Sequence, residues 1–207
     1  MGSVERRERQ KADLRAQLLD AARTIVQEHG LEGLTMRKIA EAVEYAPGTI
    51  YLHFPSRDDL VRELVRDGFL ELVNYLKPAA QIADPRERLA AIGYAYARFG
   101  VERPATYRTI FLQPPDISRA LADMRPGCEK GPDGDGVGAF GILEQTVAEL
   151  IARGDFRQLP ATVVAETIWG WLHGLVALRA TCDQKMLTDF DTSVRLAIEG
   201  VHRAFAA

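Results

Sequence analysis

The sequence predicts an all-α fold, and two features of the chain support that prediction. Apolar residues recur at intervals of three and four, which is the spacing of one face of a helix. Between these runs lie residues that begin and end helices: capping Thr, Ser and Asp, first-turn prolines and terminal glycines. With 207 residues, 47% of them hydrophobic and 27% charged, the chain suits one large domain or two small ones.

A first helix is predicted to end at Gly30 and to give its neighbours an apolar face. Its apolar residues at helical spacing are Leu14, Leu18, Ala21, Ala22, Ile25 and Val26. The arm before it carries Arg6, Arg7, Arg9 and Lys11. Two interpretations of the arm stay open: a solvated tail or a segment that contacts a nucleic-acid groove.

Residues 35–54 predict two short helices joined by a tight turn. Thr35 can cap the first helix, with Leu34 and Ile39 as a hydrophobic staple around it. That helix should stop near Glu44, and a second should begin around Ala46 or Pro47.

The second of these helices should pack on one side only. Ile50 and Phe54 are four residues apart and share a face. Thr49 and Tyr51 are then left for another face, where they can meet a partner. This arrangement predicts a helix-turn-helix whose second helix enters a major groove.

A long helix should follow, beginning with a capping box of Ser56 and Asp59 and running to about Leu76. Lys77-Pro78 should break it. Since this helix starts beside the helix-turn-helix and ends in the remaining chain, a tilt of its far end would reach the nucleic-acid-reading face.

The next segments predict further helices separated by proline and glycine. Asp84-Pro85 should start a helix to about Val101, and Arg103-Pro104 a shorter one that Pro114 ends. A weaker helix is predicted over 117–124. Residues 126–141 are rich in glycine and predict a loop, either a connector or a flap over a pocket, and helical spacing resumes from Ile142 to Gly154.

Two long helices, over 161–181 and 187–205, are apolar around much of their circumference. Such helices are buried on most sides, which in a chain of this size implies a second copy. We expect a homodimer built on a two-fold four-helix interface. Its predicted residues are Val164, Ile168, Leu172, Leu175, Val176, Val194, Ile198, Val201 and Phe205.

Charge and composition limit the classes of function. The net charge is −3, and residues 1–77 hold 12 basic and 13 acidic side chains, so any nucleic-acid binding must rely on a local basic face. No run reaches the roughly 18 apolar residues of a membrane helix, and the N-terminus is charged, so we expect a cytoplasmic protein without membrane contact.

The sequence offers no enzyme signature. No Ser/His/Asp spacing, paired carboxylates, phosphate loop or metal cluster occurs, so we expect no catalysis, cofactor or metal. Cys128 and Cys182 have no metal-ligand spacing, and a disulfide is not expected in the cytoplasm. Cys128 is either a redox sensor or an incidental thiol.

The residues around the turn resemble the DNA-binding domain of TetR-family transcriptional regulators, over about 14–73. The matching residues are Thr35, Ile39, Ala40, Gly48, Thr49, Ile50, Tyr51, His53, Phe54, Ser56, Arg57 and Leu60. The chain departs from the family with Glu44 where a turn glycine is common and Ala46 where a polar residue is common. We expect DNA contacts from Thr35, Arg37, Lys38, Ala46, Pro47, Gly48, Thr49, Tyr51, His53 and Arg57.

A second resemblance lies in the long helix over 161–181. Trp169, His173 and Gly174 resemble the W-x-x-x-H-G motif of the C-terminal domain in one branch of the same family. Trp169 and His173 lie one turn apart, and Gly174 permits close helix approach. His173 is either a ligand contact or a packed histidine of the core or interface.

These resemblances imply a ligand-responsive repressor. Its expected parts are a DNA-binding domain (1–55), a connecting helix (56–77) and a ligand-binding and dimerisation domain (78–207). Two copies should bind a palindromic operator in double-stranded DNA.

A mostly apolar small molecule of unknown identity should be the effector. The expected contacts to it are Tyr94, Arg98, Tyr107, Phe111, Trp169 and His173. Three alternatives remain: these side chains fill each other's gaps and leave no cavity, the regulator has no effector, or the chain is a helical enzyme.

Overall fold

The computed structural model describes residues 2–113, 138–182 and 188–207. Within these ranges the regular structure is helical, apart from an isolated antiparallel bridge between Phe156 and Ala206. The all-α prediction is therefore confirmed for the part of the chain that is described.

Nine α-helices and one 3-10 turn, Leu31–Gly33, occur in the described residues. The helices are α1 Ser3–His29, α2 Met36–Ala42, α3 Pro47–His53, α4 Arg57–Ala80, α5 Pro85–Glu102, α6 Pro104–Phe111, α7 Ala139–Ala152, α8 Ala161–Cys182 and α9 Phe190–Phe205.

The described residues form two compact units. The first unit holds residues 2–67 and 109–113, and the second holds 68–108, 138–182 and 188–207. The boundary at Asp67 and Gly68 falls inside α4, so this helix contributes a half to each unit. The segment 56–77 that the sequence marks as a connector is thus shared between the units.

The first unit is built as its local signals predict. Thr35 caps α2, with its hydroxyl oxygen accepting a hydrogen bond from the Lys38 amide at 3.2 Å. Leu18, Ile39 and Ile50 are fully buried and join α1, α2 and α3 in one core. The helix-turn-helix follows from the cap, the turn and the apolar spacing together.

Two helix limits in this region differ from the prediction. α1 begins at Ser3, so the basic residues of the predicted arm lie on a helix. α4 continues through Pro78 to Ala80, because a proline in a last turn removes only one backbone hydrogen bond. Ser56 does cap the start of α4, accepting from the Asp59 amide at 3.1 Å.

The second unit packs α5 and α8 against α7 and α9. Phe99, Val147, Leu150 and Ile168 are buried at its centre. α5 and α8 approach closely at Gly100, where an added Cβ would overlap the side chain of Val176. A larger residue at position 100 would push these two helices apart.

α8 is the one helix, among the residues described, that is long and apolar enough to cross a membrane by length and composition. That observation is weak by itself, since core helices of soluble proteins share the property. Here α8 buries one side against α5, α7 and α9 and leaves the other side exposed.

Several predicted features of the middle of the chain lie outside the described residues. They are the weak helix over 117–124, most of the glycine-rich segment 126–141, and Cys128. α7 begins at Ala139, three residues before the predicted start. α9 begins at Phe190, capped by Asp189, rather than at Leu187.

The turn between α2 and α3 places a non-glycine residue in the left-handed region, Glu44 with φ 58°. A side chain costs about 1 kcal/mol or more in that conformation, and glycine avoids the cost. We therefore expect Glu44→Gly to raise the free energy of unfolding of the first unit by about 1 kcal/mol in urea titrations.

Glu44→Ala is the matched control for this prediction, because it removes the carboxylate and keeps a Cβ. It should give little of the gain. Equal stabilisation by both substitutions would mean that charge, rather than backbone conformation, sets the cost at this turn.

Candidate functional site

The outward side of α3 presents side chains that have no packing role within the first unit. Ile50 and Phe54 are buried, as predicted from their spacing. Tyr51 is 50% exposed and Leu52 is 79% exposed, on the side of α3 away from Ile50. A helix of seven residues held by one apolar side is thus free to insert its other side into a groove.

The start of α3 allows a close approach by a partner. Ala46 is the N-cap in an extended conformation and Pro47 occupies the first turn. An added Cβ at Gly48 would meet nothing within 4 Å, so open space faces this position. Thr49 is half-buried, and its hydroxyl is therefore less fully presented than the sequence suggested.

The basic residues predicted to contact DNA differ in whether an acidic side chain pairs with them. Lys38 is exposed at the first turn of α2. Arg37 is exposed too, but its Nε donates to the Glu41 carboxylate at 2.8 Å. This ion pair on the surface offsets part of the positive charge.

Arg57 turns inward, which argues against the DNA contact predicted for it. Its Nε donates to the carbonyl of Leu34 at 2.9 Å and its Nη2 to the carbonyl of Leu31 at 2.7 Å. These bonds tie the start of α4 to the 3-10 turn. We therefore assign Arg57 to the scaffold and remove it from the contact surface.

His53 ends α3 in a half-buried position. Its Nδ1 is buried and finds no hydrogen-bond partner among the described residues. Burial lowers the pKa of His53, and the positive charges of Lys11 and Arg15 lower it further. The imidazole is therefore neutral at pH 7.

α1 positions the end of α3 through Arg15. Its guanidinium lies over the Phe54 ring, 4.8 Å from the centroid, and pairs with Glu63 of α4 at 2.9 Å. This side chain links three helices of the first unit, and so it fixes where the presented side of α3 points.

A second cluster lies in the second unit, where α5, α6 and α8 meet. The hydroxyls of Tyr96 and Tyr107 each lie 3.0 Å from Nδ1 of His173. The Trp169 indole N–H donates to the Tyr96 hydroxyl at 3.3 Å. We call these four side chains the Tyr–His cluster.

The Tyr–His cluster is uncharged at pH 7. Burial raises the pKa of Tyr96 and raises that of Tyr107 to about 12. Burial lowers the pKa of His173. Neutral hydroxyls around a neutral imidazole can exchange hydrogen bonds with an uncharged polar group, but they would leave a bound anion or cation uncompensated.

The structure brings together three of the six predicted ligand contacts: Tyr107, Trp169 and His173. Tyr94 is 45% exposed on the outer side of α5, and Arg98 is exposed, lies over the Tyr75 ring and pairs with Glu102. Phe111 belongs to the first unit. Tyr94 and Arg98 therefore lie outside the cluster, and the ligand contacts predicted for all six residues stay predictions.

Tyr96 is the member of the cluster that the sequence analysis missed. Ile92, Tyr96 and Phe99 are buried at helical spacing, whereas Tyr94 lies two residues out of step. The apolar periodicity of α5 therefore already indicates that Tyr96, and not Tyr94, faces the interior. Trp169 and His173 are in contact with ring centroids 5.7 Å apart, but at 60° they do not stack in parallel.

α6 also holds the second half of α4. Arg103, which precedes α6, donates to the Glu71 carboxylate at 2.5 Å, and the Thr106 hydroxyl donates to the same carboxylate at 3.3 Å. α5 holds the same half of α4, since Tyr75 of α4 donates to Glu102, the last residue of α5, at 2.8 Å. The helix that carries Tyr107 is therefore fastened to α4 within the second unit.

The predicted dimer-interface residues mostly face the interior of a single chain. Seven of them are buried there: Val164, Ile168, Leu172, Val176, Val194, Ile198 and Val201. Leu175 and Phe205 are half-buried. The seven buried side chains are packed inside one chain and are not available to a second copy, whereas the interface role predicted for Leu175 and Phe205 stays a prediction.

The exposed apolar residues of the same helices lie on the opposite side. On α8 they are Val163, Trp171 and Leu178, and on α9 Leu196. Gly170 and Gly174 interrupt this side of α8, and an added Cβ at either would meet nothing within 4 Å. We call these residues the outer face of α8 and α9. The predicted close approach at Gly174 does not occur within one chain.

No group of three or more His, Cys, Asp or Glu side chains suited to a metal ion occurs in the described ranges. Cys182 is a half-buried free thiol.

Comparisons with known proteins match both units. A model described as bacterial regulatory proteins, tetR family, matches residues 18–64, and one described as tetracyclin repressor-like, C-terminal domain, matches 89–201. The chain is similar to the HTH-type transcriptional repressor KstR2 of Rhodococcus jostii, with 38% identity over 84 residues. That match covers 40% of this chain and only 41% of the curated relative.

Two solved structures have the same fold. One is a protein of unknown function from Rhodococcus sp. RHA1, with a TM-score of 0.75, 24% identity, and coverage of 94% of this chain and 96% of that one. The other is the transcriptional regulator FadR from Bacillus subtilis in complex with stearoyl-CoA, with a TM-score of 0.69, 19% identity, and coverage of 90% and 96%. Since the second family model spans more than half of the chain, the protein belongs to the TetR family of bacterial regulatory proteins.

Proposed function

We propose that this protein is a cytoplasmic transcriptional repressor that binds a palindromic operator as a homodimer and changes its affinity for DNA when a small molecule binds the second unit. The presented side of α3, with Gly48, Tyr51 and Leu52 exposed, is the observation that carries the proposal. The alternatives are a regulator without an effector and a helical enzyme.

The DNA-binding role follows from what α3 can reach. Its exposed side is free of packing, and Lys38 at the start of α2 can meet a phosphate while α3 lies in the major groove. One α3 contacts too few base pairs for useful specificity. Two copies, about 34 to 36 Å apart or somewhat more, would read two half-sites.

The outer face of α8 and α9 is our proposed dimer interface. It combines exposed large apolar side chains with glycines that leave room for another backbone. A second copy of the same two helices would cover these residues and form a two-fold four-helix contact. The proposal keeps the two helices that were predicted for the dimer interface, but it places the contact on their exposed side.

The Tyr–His cluster is our proposed effector site. A mostly apolar molecule with one or two uncharged polar groups suits neutral hydroxyls and an imidazole among aromatic rings. The complex of the Bacillus subtilis FadR with stearoyl-CoA supports only the apolar part of this proposal, because that ligand joins an apolar acyl chain to a charged coenzyme group. The alternative without an effector has support as well, because the cluster's polar groups already satisfy one another.

The route from this site to α4 runs through α6. An effector that displaces Tyr107 would move α6, and Glu71 of α4 is tied to that helix by Arg103 and Thr106. An effector acts only through a difference in its affinity for the two arrangements. A coupling of about 1 to 3 kcal/mol would change operator affinity roughly 5- to 150-fold.

The first prediction from this proposal concerns Tyr51. An operator can be selected from random duplex DNA with the purified protein and its affinity measured by titration. Tyr51→Ala should weaken binding by about 1 to 3 kcal/mol, because it removes an exposed contact to DNA and nothing from the core.

Tyr51→Phe separates the hydroxyl from the ring and should keep part of the affinity if both contribute. Thermal unfolding and the oligomeric state should match wild type for both variants. Wild-type affinity in Tyr51→Ala would show that the docking side of α3 is misassigned.

The second prediction concerns assembly. A charge at Leu178, which is half-exposed on the outer face of α8, should oppose burial against a second copy. Leu178→Glu is expected to raise the fraction of monomer in sedimentation velocity and to weaken operator binding in parallel.

Ala148→Glu adds the same charge at an exposed position of α7 and should leave a dimer intact. If Leu178→Glu dimerises like wild type and keeps its operator affinity, the contact between copies must use another surface.

The third prediction concerns the effector. Thermal-shift screening of apolar and aromatic metabolites should give hits, some of which alter operator affinity. Tyr107→Phe removes one buried hydroxyl and keeps the ring, and it should weaken those hits about fivefold to tenfold.

The matched control is Tyr94→Phe, which removes an exposed hydroxyl from the outer side of α5. It should leave effector affinity unchanged. Hits confined to charged or phosphorylated compounds would contradict the neutral cluster as the site, and a tight binder without effect on operator affinity would contradict the route through α6.

A further inference from the structure

We propose that α3 recognises the C5-methyl groups of thymine in its operator, with Leu52 as the residue that contacts them. This inference rests on the proposed function as a DNA-binding regulator. It adds the chemistry by which the half-site is distinguished and predicts thymine at the positions beneath Leu52.

The first argument is the set of side chains that α3 and its turn do not contain. Sequence reading in the major groove commonly uses Arg or Lys on guanine and Asn or Gln on adenine. From Ile39 to Ser56 the sequence contains none of these four residue types. The usual hydrogen-bonding readers are therefore missing from the helix that enters the groove.

The neighbouring cations do not fill that gap. Arg37 is paired with Glu41, and Arg57 is bonded to two backbone carbonyls. Lys38 lies on the first turn of α2, the helix that in this motif crosses the DNA backbone. Its ammonium group is therefore placed for a phosphate, a contact that carries no base information.

The second argument is the exposure of Leu52. At 79% it is more exposed than any of the other large exposed apolar side chains in the described residues. It lies one turn after Gly48, where nothing lies within 4 Å of an added Cβ, so the groove floor can come close. An apolar side chain in this position gains by burial against an apolar group.

Thymine supplies that group. In the major groove its C5-methyl is the one apolar feature among the four bases, and apolar side chains are known to recognise it. Of the exposed carboxylates nearby, Glu41 is paired with Arg37, and Glu44 could accept a hydrogen bond from a cytosine amino group. Leu52 cannot make that hydrogen bond, so its preference is for the methyl group.

Replacing thymine by uracil removes the methyl group alone and leaves every hydrogen-bonding group of the base pair. We would select the operator with the full-length wild-type protein and then measure its affinity for duplexes carrying deoxyuridine at each thymine in turn. At one or two positions per half-site, affinity should fall about fourfold for each methyl group, and about 16-fold when one such position is changed in each of the two half-sites.

The decisive measurement repeats these titrations with Leu52→Ala. This variant should bind the thymine operator more weakly and should no longer distinguish uracil from thymine at those positions. Leu159→Ala is the matched control, since Leu159 is an exposed leucine of the second unit, and it should keep the full discrimination.

Each outcome has a separate meaning. Equal binding of uracil and thymine operators at every position would overturn the inference, and so would discrimination that persists in Leu52→Ala. Selection of a half-site without thymine would also overturn it. Failure to enrich any sequence would instead count against the proposed DNA-binding function.

Discussion

Burial of Ile50 and Phe54 is the interaction on which the first unit depends. α3 has only seven residues, and a helix of that length is not stable alone in water. Packing on α1 and α2 supplies its stability, and Arg15 fixes its end. One side of this short helix makes all of its packing contacts. The residues on the other side can therefore be chosen for binding without loss of packing.

The second unit uses its polar groups differently. Tyr96 and Tyr107 are buried and His173 is half-buried, so each loses some or all of its contact with water. Their mutual hydrogen bonds offset that cost, and burial favours the neutral form of each group, raising the pKa of the tyrosines and lowering that of His173. Such a cluster joins α5, α6 and α8 through side-chain hydrogen bonds.

Local rules predicted most of the fold, since a cap or a buried spacing depends on few neighbours. Thr35, Ser56 and Asp84 cap their helices as predicted, and the helix-turn-helix is where the sequence indicates. The sequence could not show that Arg57 turns inward, because its acceptors are carbonyls more than 20 residues away. The sequence predicts that Pro78 ends α4, because it does not show that this proline lies in the last turn of the helix.

The choice between the two sides of α8 shows where sequence reasoning stops. Both sides are apolar, so periodicity predicts that both are buried without saying by what. Within one chain Val164, Ile168 and Leu172 are buried, whereas Trp171 and Leu178 are exposed. The two sides differ in their glycines. Gly170 and Gly174 lie on the exposed side, where an added Cβ would meet nothing in the same chain. An apolar side that also carries small residues suits a second backbone at close range, whereas large branched residues fill the interior of one chain.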